Sequence, residues 1–142
     1  MARHGVGSDY PCLVLVYGSL KRGCSNHHWL AGAHDLGEAE LPGLALHDLG
    51  PFPMAVASPG AAPLRGELYG VSDSQLALLD QLEGVPRLYR RERRQLASGD
   101  PVWVYVGRKR QVRHAPLLER GVWEGPRQGN RGRREPLPKP QP

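Results

Sequence analysis

The sequence predicts an α+β domain in which short strands outnumber helices. Short apolar runs, rich in valine and aromatic residues, alternate with turn residues, and the chain contains 18 glycines and 14 prolines. One segment, residues 72–84, carries both the start and the stop signals of a helix. A length of 142 residues suits a single domain with a core of its own.

The best-defined strand is residues 12–17, an apolar run between Pro11 and Gly18. Because Gly18 has no Cβ, successive backbone N–H groups after it can converge on one concave site. Such a site would hold a carboxylate, a phosphate or a developing oxyanion. On these residues alone, a strand that simply turns is the better interpretation.

Other segments also have the composition of strands. Residues 64–71 alternate well enough for a half-buried strand, and residues 102–106 place three valines on one face with Trp103 and Tyr105 on the other. The arginine-rich residues 89–96 suit an edge strand. Shorter extended pieces are predicted at two places: residues 36–49, which Pro42 and Gly43 divide in two, and residues 51–56.

The predicted helix is capped by Ser72, which has the capping-box spacing with Gln75, and it ends at Glu83 before Gly84. Its apolar face is formed by four leucines: Leu76, Leu78, Leu79 and Leu82. Two shorter helices are also predicted: one capped by Ser25 or Asn26, and one within residues 113–123.

Charge and composition divide the chain into three parts. The formal net charge is +5; residues 124–142 contain five Lys and Arg against two Glu, which gives them +3, and they are rich in proline. Such a segment cannot offset its ordering entropy. We therefore predict a flexible N-terminus at 1–11, a domain at 12–123 and a disordered tail at 124–142. The tail lacks aromatic residues that stack on bases, so a nucleic-acid partner is not expected.

Cysteine usage and hydropathy indicate a reduced, cytoplasmic protein. Cys12 and Cys24 are too few for a disulfide framework, no apolar run is long enough to cross a bilayer, and the N-terminus lacks the apolar core of a signal peptide. His27 and His28 are adjacent and have no neighbours at metal-ligand spacing, so no metal site is predicted.

Six short motifs follow one another between about residues 12 and 108: Tyr17-Gly18-Ser19-Leu20, Asn26-His27, Phe52-Pro53, Gly66-Glu67-Leu68-Tyr69, residues 79–86 around Glu83, and Tyr89-Arg90-Arg91. In this order and at these separations they resemble the gamma-glutamylcyclotransferase-like family, nearest its gamma-glutamylamine cyclotransferase branch and bacterial members. Beyond Val106 the resemblance fades, and the Arg/Pro tail stands where relatives often have a segment that closes the pocket.

The resemblance implies both a fold and a reaction. The fold would be a small mixed β-barrel with a few flanking short helices, and the reaction would convert a gamma-glutamyl amine or amino acid to 5-oxoproline and a free amine without a cofactor. Glu83 matches the family's acid/base residue. The matches to its substrate-binding residues are Tyr17, Gly18, Ser19, Leu20 and Tyr89, with Tyr105 a weaker match to a pocket aromatic.

The chemistry of these residues suits that reaction. A gamma-glutamyl group carries its own nucleophile, the α-amine, and closing a five-membered ring makes the attack intramolecular. The enzyme must then supply proton transfer, for which Glu83 at an apolar helix end is a candidate, and oxyanion donors, for which the N–H groups at Gly18 and Ser19 are candidates. Without the resemblance, a glutamate at a helix end is more often a surface residue.

Two other function classes remain open from the sequence. The protein could be a noncatalytic or differently specific member of the fold that binds a small carboxylate metabolite, or it could act with nucleic acid through its basic tail. The released amine is equally open: a free amino acid, an isopeptide-linked lysine or an aminoglycoside-type amine. The expected partner is a small gamma-glutamyl molecule, and the expected state is a monomer or a weak homodimer.

Overall fold

The structure is a computed structural model that describes residues 11–126 and consists of two sheets and one α-helix. The described residues form seven strands: β1 Cys12–Val16, β2 His34–Leu41, β3 Leu44–Asp48, β4 Pro53–Ala57, β5 Leu64–Val71, β6 Arg90–Gln95 and β7 Pro101–Val106. Five of them form a mixed sheet in the order β2-β5-β1-β7-β6, in which β1 and β7 are parallel, while β3 and β4 pair as an antiparallel ribbon. The helix is α1, Asp73–Leu82, and short 3-10 turns lie at His27–Leu30 and Lys109–Gln111.

The predicted α+β class is confirmed, but the predicted barrel is not closed. Strands β2 and β6 lie at the two edges of the five-stranded sheet and do not pair with each other. The ribbon is connected to the sheet at the end of β7, where Gly107 N donates to Ala55 O at 2.7 Å. The ribbon therefore packs against the sheet as a separate layer.

Apolar residues are buried on both faces of the large sheet. On one face, Val14 and Tyr105 pack with Leu79 of α1. On the other, Leu15 and Val104 pack with residues of β3 and with Trp123, which is 1% exposed. The alternation predicted for residues 102–106 is confirmed, because the valines lie in the second cluster and the aromatic side chains face the first.

The helix α1 begins as the sequence predicts. Ser72 is its N-cap and accepts a hydrogen bond from Gln75 N at 3.1 Å. The Gln75 side chain does not complete a capping box; it donates to the carbonyls of Trp29 and Ala31 and so ties the helix to the neighbouring 3-10 turn. Of the predicted apolar face, Leu76 and Leu79 are buried, whereas Leu78 is 49% exposed.

Two of the predicted short helices differ in the structure. The segment after Asn26 forms only the 3-10 turn, and the Asn26 side chain does not cap it. The α-helix predicted at 113–123 is wrong, because that segment runs beside β3: Pro116 O accepts from Asp48 N, and Leu118 N donates to Leu46 O. Pro116, which has no N–H, and Gly121, whose φ is +71°, both disfavour a helix there.

The edge-strand prediction for residues 89–96 is confirmed, since β6 lies at one edge of the sheet. Arg91 and Arg93 of this strand lie over the Trp103 ring of β7, at 4.2 and 4.8 Å from its centroid. The predictions for residues 1–10 and for most of the tail fall outside the described residues. Within residues 11–126, no helix is both long and apolar enough to cross a membrane.

Candidate active site

A cavity of about 240 Å³ lies where the end of β1 meets the C-terminal end of α1. One side is the Tyr17-Gly18-Ser19-Leu20 turn, and another is the Phe52-Pro53 segment that leads into β4. All seven sequence-predicted site residues line this one cavity: Tyr17, Gly18, Ser19, Leu20, Glu83, Tyr89 and Tyr105. Segments far apart in the chain thus bring the candidate residues together.

Glu83 is the only charged side chain that lines this cavity within residues 11–126. It is the C-cap of α1, so the helix end fixes its position, and Gly84 follows with φ of +67° to turn the chain away. Burial raises the pKa of the Glu83 carboxyl from its usual 4.5 to about 7. Its carboxylate makes no hydrogen bond or ion pair with any residue that the structure describes.

The raised pKa of Glu83 predicts a specific pH dependence of stability. Because the folded-state pKa lies above the unfolded one, the Glu83 carboxyl stabilises the fold less as the pH rises from about 4.5 to about 7, and this group alone lowers the free energy of unfolding by about 3 kcal/mol over that range. Glu83→Gln carries no charge and avoids this loss. Urea unfolding should therefore show that the free energy of unfolding of the variant increases relative to that of the wild type from pH 4 to pH 8. A difference in free energy that does not change with pH would contradict the buried environment of Glu83.

The turn at Gly18 offers backbone donors to the cavity. Gly18 O accepts from Lys21 N at 3.0 Å, which closes the turn, while the N–H groups of Gly18, Ser19 and Leu20 donate to no residue within 11–126. A Cβ at Gly18 would lie 2.9 Å from Pro53 Cδ, so glycine is required there by close approach. These free N–H groups are suited to bind an anionic oxygen.

Several side chains fix the position of this turn. Asn26 donates from Nδ2 to Ser19 Oγ at 2.9 Å, and Asn26 N donates to Ser19 O. Next to the turn, Arg22 N donates to Glu67 Oε1 at 2.8 Å, and the Tyr69 hydroxyl donates to the same oxygen at 2.9 Å. The buried Glu67 carboxylate thus attaches the turn to strand β5.

Three buried tyrosines form much of the wall, and each hydroxyl donates to another part of the protein. Tyr17 donates to Tyr105 O at 2.6 Å and accepts from Ala55 N at 3.1 Å. Tyr89 donates to Pro53 O at 2.7 Å, and Tyr105 donates to Asp80 Oδ1 at 2.8 Å. Burial raises the pKa of all three hydroxyls, and the nearby Glu83 charge adds to the rise.

Sequence reasoning assigned no functional role to several residues that shape this site. Asp80 accepts a hydrogen bond from the Tyr105 hydroxyl. It lies in the motif around Glu83, but Tyr105 is 25 residues away in the sequence. Asn26, which was predicted only as a helix cap, and Phe52 also line the cavity and belong to motifs quoted above. In the described part of the chain, no three His, Cys, Asp or Glu side chains are grouped to hold a metal ion.

Within residues 11–126, the fold and the cavity define a small α+β domain whose cavity is lined by one acid without a partner and by a turn with free backbone donors. Residues 14–125 match the family described as gamma-glutamyl cyclotransferase, AIG2-like, and the chain belongs to this family. The Escherichia coli K12 gamma-glutamylcyclotransferase family protein YtfP is 36% identical over 110 residues, which cover 78% of this chain and 94% of that protein.

Two mammalian proteins are also similar. Human gamma-glutamylaminecyclotransferase is 38% identical over 91 residues, which cover 56% of this chain and 58% of the human protein. The crystal structure of a mouse AIG2-like protein superposes with a TM-score of 0.69 at 25% identity, covering 80% of this chain and 88% of the mouse chain. The similarity to YtfP extends over more of this chain than the similarity to the human enzyme.

Proposed function

We propose that the protein converts a gamma-glutamyl amine or gamma-glutamyl amino acid to 5-oxoproline and a free amine, with Glu83 as general acid/base. The observation that carries the proposal is the state of Glu83: it lines the cavity, has no partner among residues 11–126, and has a pKa raised to about 7. A carboxyl with this pKa can both take and give a proton near neutral pH. Family membership supports the reaction class.

The first chemical step joins two atoms of the same substrate. Glu83 takes a proton from the α-ammonium, and the freed amine nitrogen attacks the γ-carbonyl carbon to close a five-membered ring. The carbonyl oxygen becomes an oxyanion, which the free N–H groups of Gly18 and Ser19 would stabilise. Both nucleophile and electrophile belong to the substrate, so the proposed reaction requires no cofactor.

The second step breaks the bond between the γ-carbon and the leaving nitrogen. The protonated Glu83 gives its proton to that nitrogen as the carbonyl re-forms, and the carboxylate is restored. The ring nitrogen loses two protons overall and the leaving amine gains two. Glu83 carries one of them, and for the second the ring nitrogen gives a proton to water and the released amine takes one from water, so the amine leaves as an ammonium. Tyr17, Tyr89 and Tyr105 would bind the substrate mainly through their packed rings, since their protons are used elsewhere.

The proposal is tested by assaying 5-oxoproline release from a panel of gamma-glutamyl amines and amino acids. The panel should include a gamma-glutamyl amino acid, an ε-(gamma-glutamyl)lysine isopeptide and a gamma-glutamyl derivative of an aminoglycoside-type amine, which are the three classes of released amine that the sequence leaves open. At least one member should yield 5-oxoproline above the uncatalysed rate.

A second candidate function is binding of a small carboxylate metabolite without turnover, which the free N–H groups of the turn also favour. Calorimetric titration with the same panel separates the two functions. Binding without 5-oxoproline from any member would favour the metabolite-binding function and contradict the enzymatic one. We propose a monomer or weak homodimer in either case.

A further inference from the structure

The three tyrosine hydroxyls around Glu83 share one property: none donates its proton to the Glu83 carboxylate. Tyr17 and Tyr89 donate to backbone carbonyls, which are fixed by the strands and cannot be removed by substitution. Tyr105 is different, because its acceptor is a side chain, Asp80 Oδ1 at 2.8 Å. The direction of this one proton therefore depends on a single replaceable residue.

Asp80 is itself held in place. Arg91 Nε lies 3.0 Å from the same Asp80 Oδ1, and the Arg91 guanidinium lies 4.2 Å from the centroid of the Trp103 ring. Both Asp80 and Arg91 side chains are 25% exposed, so the pair is partly shielded from water. The arginine compensates the charge of the aspartate as an ion pair only, because its buried Nε has no hydrogen-bond partner among the described residues.

We propose that Asp80 is a positioning residue that holds the Tyr105 hydroxyl proton away from Glu83, and so keeps the Glu83 carboxylate without a donor. The inference rests on the proposed role of Glu83 as acid/base. Among residues 11–126, Glu83 is the only carboxylate that lines the same cavity as Tyr105, so it is the side-chain acceptor available in that cavity once Asp80 is replaced. A hydrogen bond from Tyr105 would stabilise the ionised carboxylate and make it a poorer base and acid near neutral pH.

Glu83 and the three tyrosines line one cavity. The Glu83 charge raises the pKa of the Tyr105 hydroxyl, as it does for Tyr17 and Tyr89. Of the titratable and charged groups on the elements around Glu83, Tyr17, Tyr89 and Tyr105 line its cavity, and Asp80 and Arg91 pair next to Tyr105. The same elements also carry six groups that do not line the cavity: Cys12 on β1, Asp73 on α1, and Arg90, Glu92, Arg93 and Arg94 on β6. Among all of these groups, Tyr105 is the donor that Asp80 restrains.

The test is a double-mutant cycle read by carbon-13 NMR titration of the Glu83 carboxyl in the unliganded protein. Asp80→Leu should lower the Glu83 pKa by about one pH unit when Tyr105 is present, because the freed hydroxyl then donates to the carboxylate. The same substitution in a Tyr105→Phe background should produce a clearly smaller decrease. Equal decreases in both backgrounds, or no decrease in either, would overturn the proposal.

The design separates positioning from damage to the fold. If Asp80→Leu does not fold, Asp80→Ala in the same two backgrounds gives the same comparison with a smaller side chain. Asp80→Asn retains an acceptor oxygen, so its effect on the Glu83 pKa should be the same with Tyr105 and with Phe at that position. The titration needs no turnover, so it decides this proposal separately from whether 5-oxoproline is released.

Discussion

Glu83→Gln is expected to lower kcat about 10²- to 10⁴-fold while the substrate still binds. The substitution keeps the size of the side chain and removes the group that carries the proton between the two nitrogens. Binding should change little, because the cavity wall of aromatic rings and the donors at Gly18 are untouched. The measurements are the rate of 5-oxoproline release at saturating substrate and calorimetric affinity for the same compound.

A matched control is available for this substitution. Glu119 is an exposed carboxyl in a turn outside the cavity, so Glu119→Gln makes the same chemical change and should keep the wild-type rate. An active Glu83→Gln variant would contradict the assignment of Glu83 as acid/base. Loss of affinity and rate together in Glu83→Gln would instead indicate a binding role for the carboxylate.

Gly18→Val is expected to weaken substrate binding at least about tenfold, which is about 1.4 kcal/mol. The added Cβ would lie 2.9 Å from Pro53 Cδ, and the two further methyl groups of valine need still more space. The turn must move away from Pro53, and its free N–H groups move with it. Calorimetric titration with a gamma-glutamyl compound measures the effect.

Gly60→Val is the control for this loss of space. Gly60 lies in a surface turn with no atom of residues 11–126 within 4 Å of the position of a Cβ, so the variant should bind as the wild type does. Gly18→Ala should lie between the two, because it adds only the first carbon. Wild-type affinity in Gly18→Val would rule out the Gly18 turn as the binding surface.

Local patterns predicted the elements of the fold well. Alternation gave the strand at residues 64–71 with its exact bounds, and it also placed the valines and the aromatic residues of β7 on opposite faces. The start of α1 followed from Ser72, because capping depends on residues within one turn. In each case the signal and the structure lie in the same short segment.

Features that depend on distant residues were not predictable in this way. The segment 113–123 was predicted as a helix, but its backbone is paired with β3, about 70 residues earlier, through Asp48 N and Leu118 N. The large sheet would form a closed barrel only if its edge strands β2 and β6 paired with each other. The sequence of either strand alone does not determine whether the two edges come close enough to pair.

In the site, too, some features could be predicted from the sequence and others depended on distant residues. The sequence motifs pointed to the residues that line the cavity, but burial of Glu83 depends on the packing of separate segments around a helix end. The partners of the tyrosine hydroxyls, such as Asp80 for Tyr105 and Pro53 O for Tyr89, became visible only when strands and helix were assembled. Roles that depend on these contacts therefore required the structure.

Incubation of the wild-type protein with a gamma-glutamyl amine in water enriched in oxygen-18 tests intramolecular cyclisation, the central claim, most directly. Mass spectrometry of the products distinguishes ring closure from hydrolysis. Attack by the substrate's own amine predicts 5-oxoproline without the heavy oxygen, formed in equal amount with the free amine. Glutamate that carries oxygen-18 in its γ-carboxyl group would show that water is the nucleophile and would contradict the account.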